Sequence, residues 1–323
     1  VQRLTSRLPR RLSGRLREER GAAAIVLSLL MVPMLGFAAI AVDIGSLYAE
    51  RAQLQVAADA AALAVAADCA RGACGDMVAT ASALVAANDG GASAAPPVLR
   101  SNPLSVTVNG RTPVQHWFAP VIGHDSTAVS ASATVAWGGP EQGVAVLPLT
   151  FSWCEFAQQT GGGLPSGTTV RTIYFTKTSD TVGCTGPSNN VVPGGFAYLD
   201  TPSRKCEAAS ARNARSYSST GNTPPSTCSP DYITSWVGRT VLLPLFDESG
   251  GTGDNAWYHV FGYAAFRITG FAFGGQFSTS PKPCTGNERC VSGYFTRLVD
   301  SSDAFSYSPD APDLGSSILR LVR

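Results

Sequence analysis

GAAAIVLSLLMVPMLGFAAIAVD, residues Gly21 to Asp43, decides how the rest of the chain is read. Twenty-one residues lie between Gly21 and Asp43, and none is charged. At about 1.5 Å per residue, a helix of that length covers roughly 30 Å, the hydrocarbon thickness of a bilayer. Ser28, Pro33 and Gly36 interrupt the run without excluding a span, because membrane helices tolerate Pro and Gly. Pro33 marks the expected kink. Upstream, residues 1–20 carry seven Arg, ending at Arg20, against Glu18 and Glu19. The positive-inside rule keeps this leader in the cytoplasm and places everything after Asp43 on the outer side. Arg20, Gly21 and Asp43 therefore bound the predicted transmembrane helix, 21–43. Ala39-Ile40-Ala41 also fits a signal-peptide cleavage site. The apolar run exceeds the usual signal core of about 7–15 residues, and helical patterning continues across the site, so length favours a retained anchor.

Past Asp43 the pattern stays helical. Leu47, Leu54, Ala58, Ala61 and Val65 recur at spacings of three, four and seven, with Glu50, Arg51, Gln53, Asp59 and Asp68 between them. Joined to the span, this makes one helix from about Ala22 to Ala70, on the order of 70 Å long. Its upper face is lined with alanine. Small residues let helices approach closely, which makes Leu54, Ala58, Ala61 and Val65 candidates for packing against a partner helix. Alanine is also the best helix former, so the same residues fit a helix with no partner. Gly72 and Gly75 end the helix between Cys69 and Cys74. A second helix is expected from about Asp76, as N-cap, to Ala87. Asn88-Asp89-Gly90-Gly91 closes it, so residues 44–90 read as an extracytoplasmic helical stalk, with a Ser/Ala/Pro linker to Pro97.

From residue 98 to 323 the chain changes to strand patterning, giving an α+β protein with a mostly antiparallel β ectodomain, in one unit or in two split near residue 138. Leu104–Val108 alternates, as does Ala128–Val135 with Val129, Ala131, Ala133 and Val135 on one face. Further strands are expected at Val114–Phe118, Val144–Thr150, Val170–Phe175, Phe196–Leu199, Thr240–Phe246, His259–Gly270 and Gly293–Val299. Residues 203–231, rich in Ser, Thr, Asn and Pro, read as a long loop tied down by Cys206 and Cys228. All eight cysteines (Cys69, Cys74, Cys154, Cys184, Cys206, Cys228, Cys284 and Cys290) fall beyond the span. An even number on the oxidising side points to disulfides. Short loops favour Cys69–Cys74 and Cys284–Cys290; spacing leaves the remaining connectivity open.

The formal net charge of +1 hides an asymmetry. Beyond residue 20 there are 17 Lys or Arg and 21 Asp or Glu, a balance of −4. No basic patch remains to suggest nucleic acid, and the Arg leader reads as a topology signal against anionic lipid. Only Lys177, Lys205 and Lys282 represent lysine; that skew, with Val at position 1, suggests a GC-rich bacterial gene.

Three segments together resemble the N-terminal region of TadG-like proteins of Flp/Tad pilus assembly. They are Arg20 to Ala24, Ala41-Val42-Asp43-Ile44-Gly45, and Gln53 to Ala64 with its Ala-Asp-Ala-Ala-Ala-Leu-Ala core. A weaker likeness continues through Val114 to Ala119 and Val129 to Thr134, as far as about residue 137. The resemblance implies a role in assembling or anchoring a pilus or secretion apparatus, with the bilayer and other Tad/Flp proteins as partners. It implies no catalysis, no cofactor and no small-molecule substrate. Pilin-like relatives processed by a prepilin peptidase carry Glu about five residues after the cleavage-site Gly. Ile25 and Val26 stand there in this chain, which argues against processing after Gly21. A surface adhesin or wall-binding module on the same kind of anchor is the competing reading.

Catalytic motifs are weak. Asp247-Glu248-Ser249-Gly250-Gly251 resembles half of the metal site of von Willebrand A domains. Oxygen ligands there would suit Mg²⁺ or Ca²⁺, but the set is incomplete, and a polar hairpin loop ending at Asp254 is the plainer reading. His116, His124 and His259 can each act as a base, yet no nucleophile motif adjoins them, and no zinc-type spacing joins them to cysteines. Gly161-Gly162-Gly163 lacks the Lys of a phosphate loop.

Overall fold

A computed structural model describes residues 15–177 and 183–322. The Arg-rich leader up to residue 14 lies outside the described residues, as do the side chains of residues 15–20, Arg20 among them. Helix α1 (Arg15–Ala70) runs for 56 residues, helical on both sides of Pro33. Its apolar first half touches little: Leu27, Leu29, Val32, Met34 and Phe37 are each more than 60 % exposed. Among the described residues this is the one helix long and apolar enough to cross a membrane.

Beyond Asp43 the same helix becomes a core element. Leu54, Ala57, Ala58, Ala61, Ala62, Val65 and Ala66 have no exposed surface. The Cys69–Cys74 disulfide closes the helix end, and Gly72 turns the chain with φ +96°. Asp76 then caps α2 (Met77–Asn88), its carboxylate accepting the Ala79 N–H at 2.9 Å. The helix pair packs on strands β1 (Ser93–Ala94), β3 (Leu104–Gln115) and β4 (Ser126–Ala145), and the exposed β2 (Val98–Ser101) pairs along β3. β3 and β4 form an antiparallel hairpin in unbroken register, from Ser105 opposite Ala136 to Gln115 opposite Ser126. Period-two alternation puts Val106, Val108, Gly110 and Thr112 on one face, directly opposite Val135, Ala133, Ala131 and Val129. That face joins Leu54, Ala58, Ala61 and Val65 in one apolar cluster with Ala81 and Val85 of α2. Residues 44–90 are thus integrated with the sheet rather than projecting as a separate stalk. An alanine face cannot stay in water when a sheet of small residues lies within reach of it, since burial stabilises by about 25 cal/mol per Å² of apolar surface.

The rest of the chain builds a second sheet and completes the first. In order come β5 (Leu149–Ser152), α3 (Trp153–Thr160), β6 (Arg171–Tyr174), β7 (Cys184–Thr185), β8 (Val191–Val192) and β9 (Phe196–Tyr198). Then follow β10 (Ala208–Ala211), β11 (Arg215–Tyr217), α4 (Pro230–Thr234), β12 (Thr240–Gly250), β13 (Trp257–Gly274), β14 (Phe277–Ser278) and β15 (Cys290–Thr296). β16 (Leu298–Asp300), β17 (Phe305–Ser308) and β18 (Ser316–Val322) close the chain. The first sheet has the order β1-β3-β4-β18-β16, with β2 on β3 and with β10 and β17 on β4. The second has the order β6-β15-β13-β12-β5-β9, with β11 and β14 on β13. Pairing is antiparallel except for β5 with β12 and β16 with β18. The second sheet buries an aromatic core in which the rings of Phe151, Phe266 and Phe295 meet tilted or edge-to-face, their centroids 4.7–5.6 Å apart.

Residue 138 is not a break. β4 crosses it, pairing with β3 before it, with β18 around it and with β10 and β17 after it. Arg297 adds a tie between the layers, donating from Nη1 to the Arg71 carbonyl at 2.7 Å and from Nε to the Pro165 carbonyl at 3.1 Å. The segment 203–231, expected as a long loop, holds β10, β11 and the start of α4. Its residues form strands because β4 and β13 supply ready-made partners. The remaining disulfides are Cys154–Cys184, Cys206–Cys228 and Cys284–Cys290, and no cysteine is free.

Candidate functional site

The contact of most consequence sits where the apolar run ends. Asp43, the first charged residue after Gly21, is buried although its helical neighbours are exposed. Its Oδ1 accepts the Trp117 N–H at 2.8 Å, and its Oδ2 accepts the Ala119 N–H at 2.8 Å. The Phe118 N–H lies between them, at 3.3 and 3.2 Å from the two oxygens. The donors belong to the loop joining β3 to β4, at the start of a 3-10 turn, Ala119–Ile122. A helical turn leaves its first amides unpaired, and a carboxylate is the strongest acceptor for them. Here the cap comes from a residue 74 positions upstream. Gly123, at φ +90°, ends the turn, and the His124 N–H returns to the Ala119 carbonyl at 3.1 Å.

Further along α1, Leu54 lies over Gly110 of β3. Gln55 donates from Nε2 both to the Asp59 carboxylate at 2.8 Å and to the Ser132 carbonyl at 3.0 Å. Asp59 is therefore engaged within the chain. Leu54, Ala58, Ala61 and Val65 are covered by the chain's own hairpin and α2, so that face is filled without a second molecule. Glu50 lies beside Asp89 on the same helix pair. Burial raises its carboxyl above the ordinary value, and a hydrogen bond and the negative charge of Asp89 add to that.

The chemistry candidates separate. His116 meets Thr127, its Nε2 2.8 Å from Oγ1. Asp247 is in strand β12, not in a loop, and is fully buried. One of its oxygens contacts His259 Nδ1 at 2.8 Å, and the other accepts the Ser188 hydroxyl. A nucleophilic triad requires the serine on the imidazole, whereas Ser188 and His259 both address the carboxylate. The trio instead pins the loop between β7 and β8 onto β12. Both Asp247 oxygens are taken, and no cluster of three or more His, Cys, Asp or Glu is found among the described residues. Sequence reasoning missed the Asp43 contact with residues 117–119. Its one signal was an aspartate directly after an apolar run with no local capping role.

The geometry defines a class: an α+β protein whose first sheet is folded onto the continuation of its own apolar N-terminal helix. Residues 21–68, that helix, match the Tad family, described as "Putative Flp pilus-assembly TadE/G-like". This segment of the chain is TadE/G-like, as the Ala-Val-Asp and Ala-Asp-Ala-Ala-Ala-Leu-Ala patterns imply. No curated protein and no solved structure matches the chain at a significant level.

Proposed function

We propose that this protein is a single-pass membrane component of a Tad/Flp-type pilus or secretion apparatus, assembling or anchoring it rather than catalysing a reaction. Residues 1–20 are cytoplasmic in this reading, and the β region is extracytoplasmic. The observation that carries it is the dual use of α1. One continuous helix supplies both the exposed apolar run and the buried spine of the first sheet. The β region is thereby held rigidly at the bilayer rather than on a flexible tether, which suits a fixed base for an assembled structure. The family match over this same helix supports the Tad/Flp context.

The test is crosslinking in native membranes followed by purification of the full chain. Co-purification of other Tad/Flp pilus components supports the proposal. A deletion strain with intact pili but lost surface attachment, and no such co-purification, replaces it with the adhesin reading.

A further inference from the structure

The loop that Asp43 holds has an unusual surface. Trp117 is 78 % exposed, Phe118 48 %, Val121 90 % and Ile122 75 %. Four large apolar side chains within six residues are thus presented outward, with Pro120 among them. No Asp, Glu, Lys or Arg occurs between Arg111 and Asp125. The loop's position is fixed by its attachment. Its backbone is bonded to the residue that directly follows the uncharged run ending at Val42. The hairpin then leads away from that point alongside α1. Gly110 lies over Leu54, and Ser132 meets Gln55, so the tip lies at the span's exit and the hairpin base at its far end.

The backbone of the tip is also prepared for a water-poor setting. Asp43 takes the amides of residues 117–119, and Pro120 has no N–H. The Val121, Gly123 and His124 amides bond to carbonyls within the loop at 3.1–3.2 Å. Amides already bonded within the loop lower the cost of moving an irregular segment toward the apolar side of the interface. Trp with flanking His suits the headgroup boundary, where one end of a side chain is apolar and the other wet.

We propose that the hairpin tip, residues 117–122, inserts into the outer headgroup–acyl boundary of the bilayer, giving the protein a second lipid contact locked to the span by Asp43. The proposal rests on the membrane-anchor reading above. The occupant is lipid because the apolar tip is continuous with the exposed apolar surface of α1. With the span fixed on one side and the hairpin tip on the other, α1 leaves the membrane at a set angle.

The full chain, disulfides intact, is reconstituted into phosphatidylethanolamine/phosphatidylglycerol vesicles. An environment-sensitive thiol dye is attached to one of three single variants: Phe37→Cys in the span, Val121→Cys at the tip, or Val191→Cys, an exposed apolar site on the second layer. Lipids spin-labelled near the headgroup or deep in the acyl chain serve as quenchers. The dye at 121 is expected to shift to the blue and to be quenched by the shallow label more than the deep one. The dye at 37 is expected to be quenched by the deep label, and the dye at 191 by neither. Asp43→Ala is expected to reduce quenching at 121 and leave it unchanged at 37. If 121 behaves like 191 while 37 is quenched, the tip proposal is overturned and the anchor stands. Loss of quenching at 37 overturns the anchor and the tip proposal with it. Shielding at 121 that needs other pilus proteins assigns the tip to a protein partner and also overturns it.

Discussion

Changing Gly110 and Leu54, singly and together, tests whether α1 is the spine of the first sheet. A Cβ built on Gly110 falls 3.0 Å from Leu54 Cδ1, 3.5 Å from Leu54 Cγ and 3.9 Å from Val85 Cγ1. The first distance is too tight, so Gly110→Ala forces Leu54 to move in a fully buried site. Overpacking of this kind costs about 1–3 kcal/mol. Reduced freedom of the unfolded chain offsets roughly 0.5–1 kcal/mol of that. The net effect then lies between about zero and 2.5 kcal/mol of destabilisation. Leu54→Ala empties the same site and costs about 2–5 kcal/mol. In the double variant the new methyl group fills part of the void, so the two costs should fall short of additivity by about 1 kcal/mol or more. Amide exchange in β3 and β4 is the assay, because it reads opening of this layer without requiring the whole chain to unfold in one step. Each 1.4 kcal/mol corresponds to about tenfold in exchange, so Leu54→Ala should speed it roughly 100-fold. Strict additivity, or a Leu54→Ala variant that exchanges as the parent does, would refute the packing of helix on hairpin.

Asp43→Ala should release the amides of residues 117–119 to fast exchange, and Asp43→Asn should release them only partly; equal protection in all three proteins would sink the remote-cap argument. Replacing Cys154 and Cys184 by Ser should cost about 3–4 kcal/mol, against about 2 kcal/mol for Cys284 and Cys290, because the first pair closes a 30-residue separation and the second only 6. The reverse order in unfolding midpoints would contradict this. Burial, then Asp89, raises the Glu50 carboxyl above 4.5, so the folded state holds its proton more firmly than the unfolded state. Its stabilising contribution is present below that value and is lost as pH rises through the folded value. Glu50→Gln should therefore stabilise the protein near neutral pH and flatten the fall in midpoint as pH rises above the ordinary carboxyl value; parallel curves for the two proteins would argue against it.

The helix was legible because two independent patterns, an uncharged run and an apolar repeat, share one uninterrupted segment. Strands β12 and β13 and the alternating parts of β3 and β4 were legible; β3 runs on without a break from Leu104 to Gln115, and residues 116–118, expected in a strand, belong to the loop that Asp43 caps. What covers the alanine face was not legible. Small residues at Ala58 and Ala61 suit a partner helix as well as a sheet, and only the long-range register of Val106, Val108, Ala131 and Ala133 decides. β11 and β17 are short and carry polar residues, and β10 is Ala-rich, so their strand state is imposed by β4 and β13. β18 is apolar at Ile318, Leu319, Leu321 and Val322 but lacks strict alternation. Asp247 looked like a loop residue because Gly250 and Gly251 follow it. Its burial depends on Ser188 and His259, which no local pattern links to it. The Asp43 cap escaped for the same reason, since hydrogen bonds across 74 positions leave no periodic trace.

The shared course of α1 and β4 has a mechanical consequence. Suppose the bilayer end of α1 is pulled while a load is held by the second layer. Tension then passes along the helix, across the apolar face it shares with the hairpin, and out through β4 to β10, β17 and β18. The helix and the hairpin lie side by side along this path, so the contact is loaded lengthwise, in shear. No side chain gives way before its neighbours; Leu54, Ala58, Ala61 and Val65 must slide past Val106, Val108, Ala131 and Ala133 together. Peeling from one end would break the same contacts one after another at far lower force. A single-molecule pull from residue 43 should therefore meet higher resistance than one that lifts β3 away from Gln115 at the loop.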